Sequence, residues 1–238
     1  MATLIERIRP LSWSVLRALT GLQPEVPQPL PAPEQQILAV VPHTSHLDTL
    51  ALLFALSGRA HELSIVVKGS YWQERFAYHA LLSLVAPDFI AVENGKPKEN
   101  FQKMIAALES ARQEKRNCLL GIFPQGTRQR EHPLESGYAW LSVHTGVPVT
   151  PVVIERMPAA FSSGDLSPLD VLKFSIAQYL HKGSEQPVRV SFLEPVLPPE
   201  NTHSKKAKEQ VIFEYTARLK NHDWSDEPPA CVLESSQE

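Results

Sequence analysis

Residues 37–58 read ILAVVPHTSHLDTLALLFALSG. Ile37 to Val41 is a continuous apolar run rich in branched side chains, the pattern of a strand buried on both faces. Pro42-His43-Thr44-Ser45 ends the run, and Leu47, Leu50, Leu52, Leu53 and Leu56 then populate a helix that stops near Gly58. A doubly buried strand feeding straight into a helix is the opening unit of a parallel α/β sheet.

The same alternation continues downstream. Leu63 to Val67 is a strand candidate, Tyr71 to Val85 a helix and Phe89 to Val92 a third strand. Asn100 to Arg116 places Phe101, Met104, Ile105 and Leu108 at helical spacing, and Cys118 to Phe123 is again a buried-strand run. Helical residues Tyr138 to Val143 precede Gly146 and the strand Val147 to Ile154; Val188 to Leu193 is a late strand and Lys205 to Lys220 a late helix. The fold class is α/β: a single domain with a mostly parallel central sheet covered by helices on both faces.

Upstream, residues 1–23 lack the long apolar core and small-residue cleavage site of a secretory signal. Trp13, Leu16, Leu19 and Leu22 recur at three-residue spacing while Arg7, Arg9 and Arg17 carry positive charge. That is an amphipathic helix suited either to a lipid headgroup layer or to docking on its own core. Residues 24–36 hold Pro24, Pro27, Pro29, Pro31 and Pro33, which favour an extended linker. The α/β domain is expected to span 37–222, with 223–238 a flexible tail carrying Pro228, Pro229 and several acids.

The bulk figures agree with one globular domain. The chain has 238 residues, 43% of them hydrophobic and 21% charged, enough to bury a full core. With 23 Lys and Arg against 26 Asp and Glu, it lacks the broad basic field of a protein that coats nucleic acid. Cys118 and Cys231 are far apart in sequence and have no second thiol at metal-ligand spacing, which points to a reducing compartment. Every apolar run is broken too early for a transmembrane helix.

In open α/β sheets ligands gather at the carboxyl ends of strands. Two such stretches carry chemistry: His43-Thr44-Ser45-His46-Leu47-Asp48 and Phe123-Pro124-Gln125-Gly126-Thr127-Arg128. With a helix starting around Ser45, His43 and Asp48 converge. An Asp that accepts from one imidazole nitrogen fixes the tautomer and leaves the other nitrogen to take a proton from a hydroxyl. Ser45 and Asp48 also form a capping box, which needs no catalysis to explain it. His43, His46 and Asp48 together are an adequate zinc set, the basis of a metal-assisted hydrolase reading. In the second stretch Gly126 permits close backbone approach, and Thr127 and Arg128 offer a hydroxyl and a fork of donors suited to a phosphate. Arg130, Lys68, Lys96 and Lys98 add positive charge near that edge, or are ordinary solvated residues. No Gly-rich loop matches a nucleotide-binding pattern.

Taken in order, His43-x-Ser45-x-x-Asp48, Phe123 to Arg128, Gly137 and Val147-Pro148-Val149-Thr150-Pro151-Val152 resemble the successive blocks of the glycerolipid acyltransferase family, typified by lysophosphatidic acid acyltransferases. The resemblance runs from about Ile37 to Glu194. It implies an acyl-CoA or acyl carrier protein donor, a glycerol-based acceptor hydroxyl, and neither metal nor cofactor. His43 would be the general base and Asp48 its orienting partner. Arg128 would hold the acceptor phosphate, Gly126 and Thr127 would shape that pocket, and Ser45 and Gln125 would complete the substrate-binding set. Pro148 and Pro151 would wall the acyl channel. A lipid acceptor favours the lipid reading of residues 1–23, and so a peripheral protein on the cytoplasmic membrane face.

The chain departs from that family at several positions. Pro42 stands where the family usually has Asn, and Gln125 where it has Glu. The second block, which normally ends in Arg, reads Phe89-Ile90-Ala91-Val92-Glu93-Asn94, with Lys96 or Lys98 as the nearest substitutes. Leu134-Glu135 replaces a Phe-Lys pair. These changes imply a less cationic acceptor pocket, and they motivate a second reading as a non-catalytic lipid or acyl-carrier binding protein on the same fold.

Overall fold

The run at 37–41 lies in the interior of a six-stranded sheet. A computed structural model describes residues 23–27, 35–43, 48–56, 59, 62–68, 88–126, 133–156, 187–200, 204–225 and 232. The strands are β1 (Gln35–Val41), β2 (Leu63–Lys68), β3 (Asp88–Val92), β4 (Cys118–Ile122), β5 (Val149–Glu155) and β6 (Arg189–Phe192), in the order β3-β2-β4-β1-β5-β6. All neighbours are parallel except β5 and β6, which are antiparallel. The described helices are α1 (Asp48–Leu56), α2 (Pro97–Gln113), α3 (Gly137–Thr145) and α4 (Lys205–Lys220). The expected helices at 1–23 and at Tyr71 to Val85 lie outside the described residues.

β1 is apolar throughout its centre because it is covered on both sides. Leu38 and Val40 point into one layer with Leu50, Leu53 and Phe54 of α1 and with Val190 and Phe192 of β6. Ile37, Ala39 and Val41 point into the other, against Leu108 of α2, Tyr138 and Leu141 of α3, and Val211, Tyr215 and Leu219 of α4. Strand alternation therefore divides one sequence run between two cores, each fully buried side chain contributing about 1.5–3 kcal/mol relative to exposure. α1 is buried at eight of its nine positions, in keeping with its nearly uniform apolar sequence.

Three differences from the sequence reading have physical causes. β1 starts at Gln35, ahead of the apolar run, because its polar residues find partners: Gln35 donates to the Leu108 carbonyl at 3.0 Å, and buried Gln36 accepts from the Thr150 hydroxyl of β5. Glu25, in the expected linker, bridges to Arg189; its N–H donates to Val188 and its carbonyl accepts from Val190. As a non-proline residue between Pro24 and Pro27, it keeps the donor that this pairing needs. In the expected tail, Trp224 packs against the second core, Ser225 bonds to Glu155 and Val232 is fully buried. At those positions apolar burial and a buried carboxylate hold the chain to the domain.

Candidate active site

The topology places two turns side by side. β1 and β4 are parallel neighbours with Ala39 opposite Ile122, so His43 and Gln125 leave the same carboxyl edge a few residues further on. The helix after β1, α1, packs on one face of the sheet, and α3, after β4, packs on the other. Adjacent strands whose following helices part to opposite faces leave a crevice between them, where α/β folds bind ligands.

His43 follows the cis Val41–Pro42 peptide bond at the end of β1. Its Nδ1 lies 3.0 Å from Oδ2 of Asp48, the first residue of α1. The Asp48 side chain is completely buried, while that of His43 is 19% exposed, so the carboxylate is shielded and the ring still reaches the surface. A carboxylate at a helix N-terminus is further favoured by the unpaired N–H groups and the dipole there.

The β4 turn closes on His43 from the other side. The Gly126 N–H donates to the Phe123 carbonyl at 3.0 Å, a tight turn with Pro124 second and Gly126 fourth. The Glu135 N–H ties this turn down through the Pro124 carbonyl at 2.8 Å. Gly126 has φ +61°, a backbone conformation that favours glycine, and a Cβ there would sit 3.2 Å from the end of the exposed Glu135 side chain. Buried Gln125 accepts the His43 backbone N–H on Oε1 at 2.5 Å. The Phe123 ring lies 4.2 Å, centroid to centroid, from the imidazole at an interplanar angle of 33°.

The structure thus brings together His43, Asp48, Gln125 and Gly126. Ser45, Thr127 and Arg128 lie outside the described residues, as do His46 and Arg130. Phe123 was legible only as a strand end, and its stacking on His43 depends on the β1–β4 register. Among the described residues no three His, Cys, Asp or Glu side chains are grouped as metal ligands. Nor is any described helix long and apolar enough to cross a membrane.

The loop after β3 carries Lys96 and Lys98, the nearest substitutes for the second-block cation. The Lys96 ammonium lies 2.7 Å from the Glu93 carboxylate and 3.6 Å from that of Glu99, so its charge is neutralised locally. The hydrogen bond and charge of Lys96 hold the Glu93 carboxyl below its ordinary range. Asn100 fastens the loop by bonding both the N–H and the carbonyl of Glu93, at 2.9 and 2.7 Å. Lys98 lies exposed in the first turn of α2.

A second polar cluster surrounds Glu155 at the end of β5. Burial alone would raise its carboxyl, but the Ser225 N–H and hydroxyl and the His222 imidazole together hold it below the ordinary range.

No curated protein matches the chain. Among solved structures it is similar to the 1-acyl-sn-glycerophosphate (LPA) acyltransferase PlsC from Thermotoga maritima, with 17% identity, a TM-score of 0.50, and coverage of 92% of this chain and 81% of that one. At that identity the likeness establishes the α/β fold. The sequence pattern of the acyltransferase family matches residues 23–155, which take in His43, Asp48, both turns and the sheet from β1 to β5. Since this is more than half of the chain, the protein belongs to the acyltransferase family.

Proposed function

We propose that the protein moves a fatty acyl chain from acyl-CoA or acyl carrier protein to the hydroxyl of a lysophospholipid-like glycerol acceptor, with His43 as general base and without an acyl-enzyme. The observation that carries this reading is the 3.0 Å contact of His43 Nδ1 with buried Asp48 at the crevice between β1 and β4. With Nδ1 held by the carboxylate, Nε2 is the nitrogen that takes the acceptor's proton. The acceptor oxygen then bonds to the thioester carbonyl carbon, giving a tetrahedral oxyanion. Collapse of that intermediate breaks the carbon–sulfur bond, and the imidazolium returns its proton to the leaving thiolate. Asp48 stabilises the imidazolium between these two steps.

Support for a glycerolipid acceptor comes from the family blocks and from the lysophosphatidate enzyme whose fold the chain shares. On the same grounds Arg128 is assigned to the acceptor's phosphate, Thr127 to the shape of that pocket, and Ser45 to substrate binding. Residues 1–23 are assigned to peripheral contact with the cytoplasmic face of the membrane, where such an acceptor is found. No cofactor is required, because the thioester already activates the acyl group.

The test is a mass-spectrometric transfer assay with mixed acyl-CoA and acyl carrier protein donors, a panel of lysolipids, and His43→Ala beside the wild type. Wild-type product with a loss of about 10²–10⁴-fold in His43→Ala is expected. Equal rates from the two proteins would refute the base assignment. Donor binding by the wild type with no product across the panel would favour the non-catalytic lipid or acyl-carrier binder instead.

A further inference from the structure

We infer that Gln125 is a positioning residue, whose buried carboxamide holds the backbone of His43 and whose neutrality sets the pH range over which His43 accepts a proton. The inference rests on the proposed role of His43 as general base.

Three observations carry it. The Gln125 side chain is fully buried, and its Oε1 accepts the His43 N–H. An oxygen committed in that way serves the protein backbone rather than a diffusing acceptor. The turn that carries Gln125 is itself held by the Gly126 and Glu135 N–H groups, so the clamp is rigid. Phe123 of the same turn lies against the imidazole while Asp48 engages Nδ1, so one short segment fixes both the main chain and a ring face of His43. Such positioning matters because a displacement of about 1 Å in a reacting group can cost about 10²-fold in rate.

Charge supplies the second half of the argument. Asp48 at the start of α1 pairs with the imidazole, and the Glu135 carboxylate borders Gly126 of the same turn as Gln125. Phe123, Pro124 and Gln125 add no charge. A carboxylate at position 125 would keep the acceptor oxygen but place another negative charge beside the imidazole, favouring its protonated form. The carboxamide does the mechanical work without that electrostatic effect.

Gln125→Glu and Gln125→Met separate the two parts. In Gln125→Glu the acid limb of the kcat/KM profile is expected to move up by about one pH unit, a loss of about tenfold on that limb. In Gln125→Met, which keeps the side-chain length but loses the acceptor, kcat is expected to fall about 10–100-fold. The acceptor KM should stay within about twofold and the limb should not move, since only the base's position has changed. A raised acceptor KM in both variants with an unmoved limb would overturn the inference in favour of acceptor binding. If Gln125→Glu fails to fold, the kcat-against-KM split of Gln125→Met decides the positioning role. If the wild type makes no product, the acyl-transfer reading fails separately. The clamp is then read by NMR titration of the His43 imidazole, identified as the resonance missing from His43→Ala. A midpoint higher in Gln125→Glu than in wild type supports the inference, and equal midpoints overturn it.

Discussion

Replacing Asp48 by Asn isolates the electrostatic role of the carboxylate, since it keeps the shape of a side chain that is completely buried. With Oδ2 3.0 Å from His43 Nδ1, the centres of charge in the protonated pair are about 4 Å apart. At an effective dielectric of about 20 their attraction is about 4 kcal/mol. That attraction exists only while His43 carries the acceptor's proton, so most of it acts on the transition state. At 1.36 kcal/mol per tenfold, Asp48→Asn should lower kcat by about 10³-fold. The folded state loses much less, because Asn keeps the shape of the buried side chain and the missing term is the carboxylate's attraction to the α1 dipole, about 0.5–1 kcal/mol. In a domain of this size that lowers Tm by about 1–4 °C. The assay is steady-state transfer with saturating donor and acceptor, alongside thermal unfolding of both proteins. An Asp48→Asn enzyme within about threefold of wild-type kcat, with Tm lowered as expected, would reduce Asp48 to a charge at the start of α1 and refute the dyad.

Gly126→Ala should destabilise the protein by about 1–2 kcal/mol in urea unfolding, because φ +61° strains an alanine while the exposed Glu135 side chain can swing aside. Gly126→Asn should lose less, and equal losses would assign the effect to space rather than backbone conformation. The Glu155 carboxyl is held below its ordinary value of 4.5, so the stability it contributes is present above that pH and disappears as pH falls through the folded-state value. The stability gap between wild type and Glu155→Gln should therefore be larger at pH 7 than at pH 3.5, and a gap independent of pH would contradict this. Deleting residues 1–23 should abolish sedimentation with anionic vesicles while leaving the unfolding transition in place; undiminished pelleting would remove the membrane role of that segment.

Local pattern was enough for the sheet and for the residue types of the site. Ile37 to Val41, Leu63 to Val67 and Cys118 to Phe123 read as strands because a strand buried on both faces admits hardly any polar side chain, and a short apolar run between turn residues has few other structures to adopt. His43, Asp48 and the turn at Pro124 to Gly126 could be singled out because they follow such runs, and parallel strands deliver their last residues to one edge. The partners of those residues could not be read in the same way. That β1 lies between β4 and β5, that α1 and α3 part to opposite faces there, and that Phe123 and Gln125 therefore meet His43 all depend on strand order and register. These are set by how two apolar layers close over the whole sheet. The polar ends behave likewise: Gln36 enters a strand because the Thr150 hydroxyl donates to it from the next one, Glu25 leaves the linker for β6, and Ser225 and Trp224 are held at Glu155 and the second core. A buried polar group is tolerated only with a partner, and the partner of a residue far away in sequence exists only once the chain has folded.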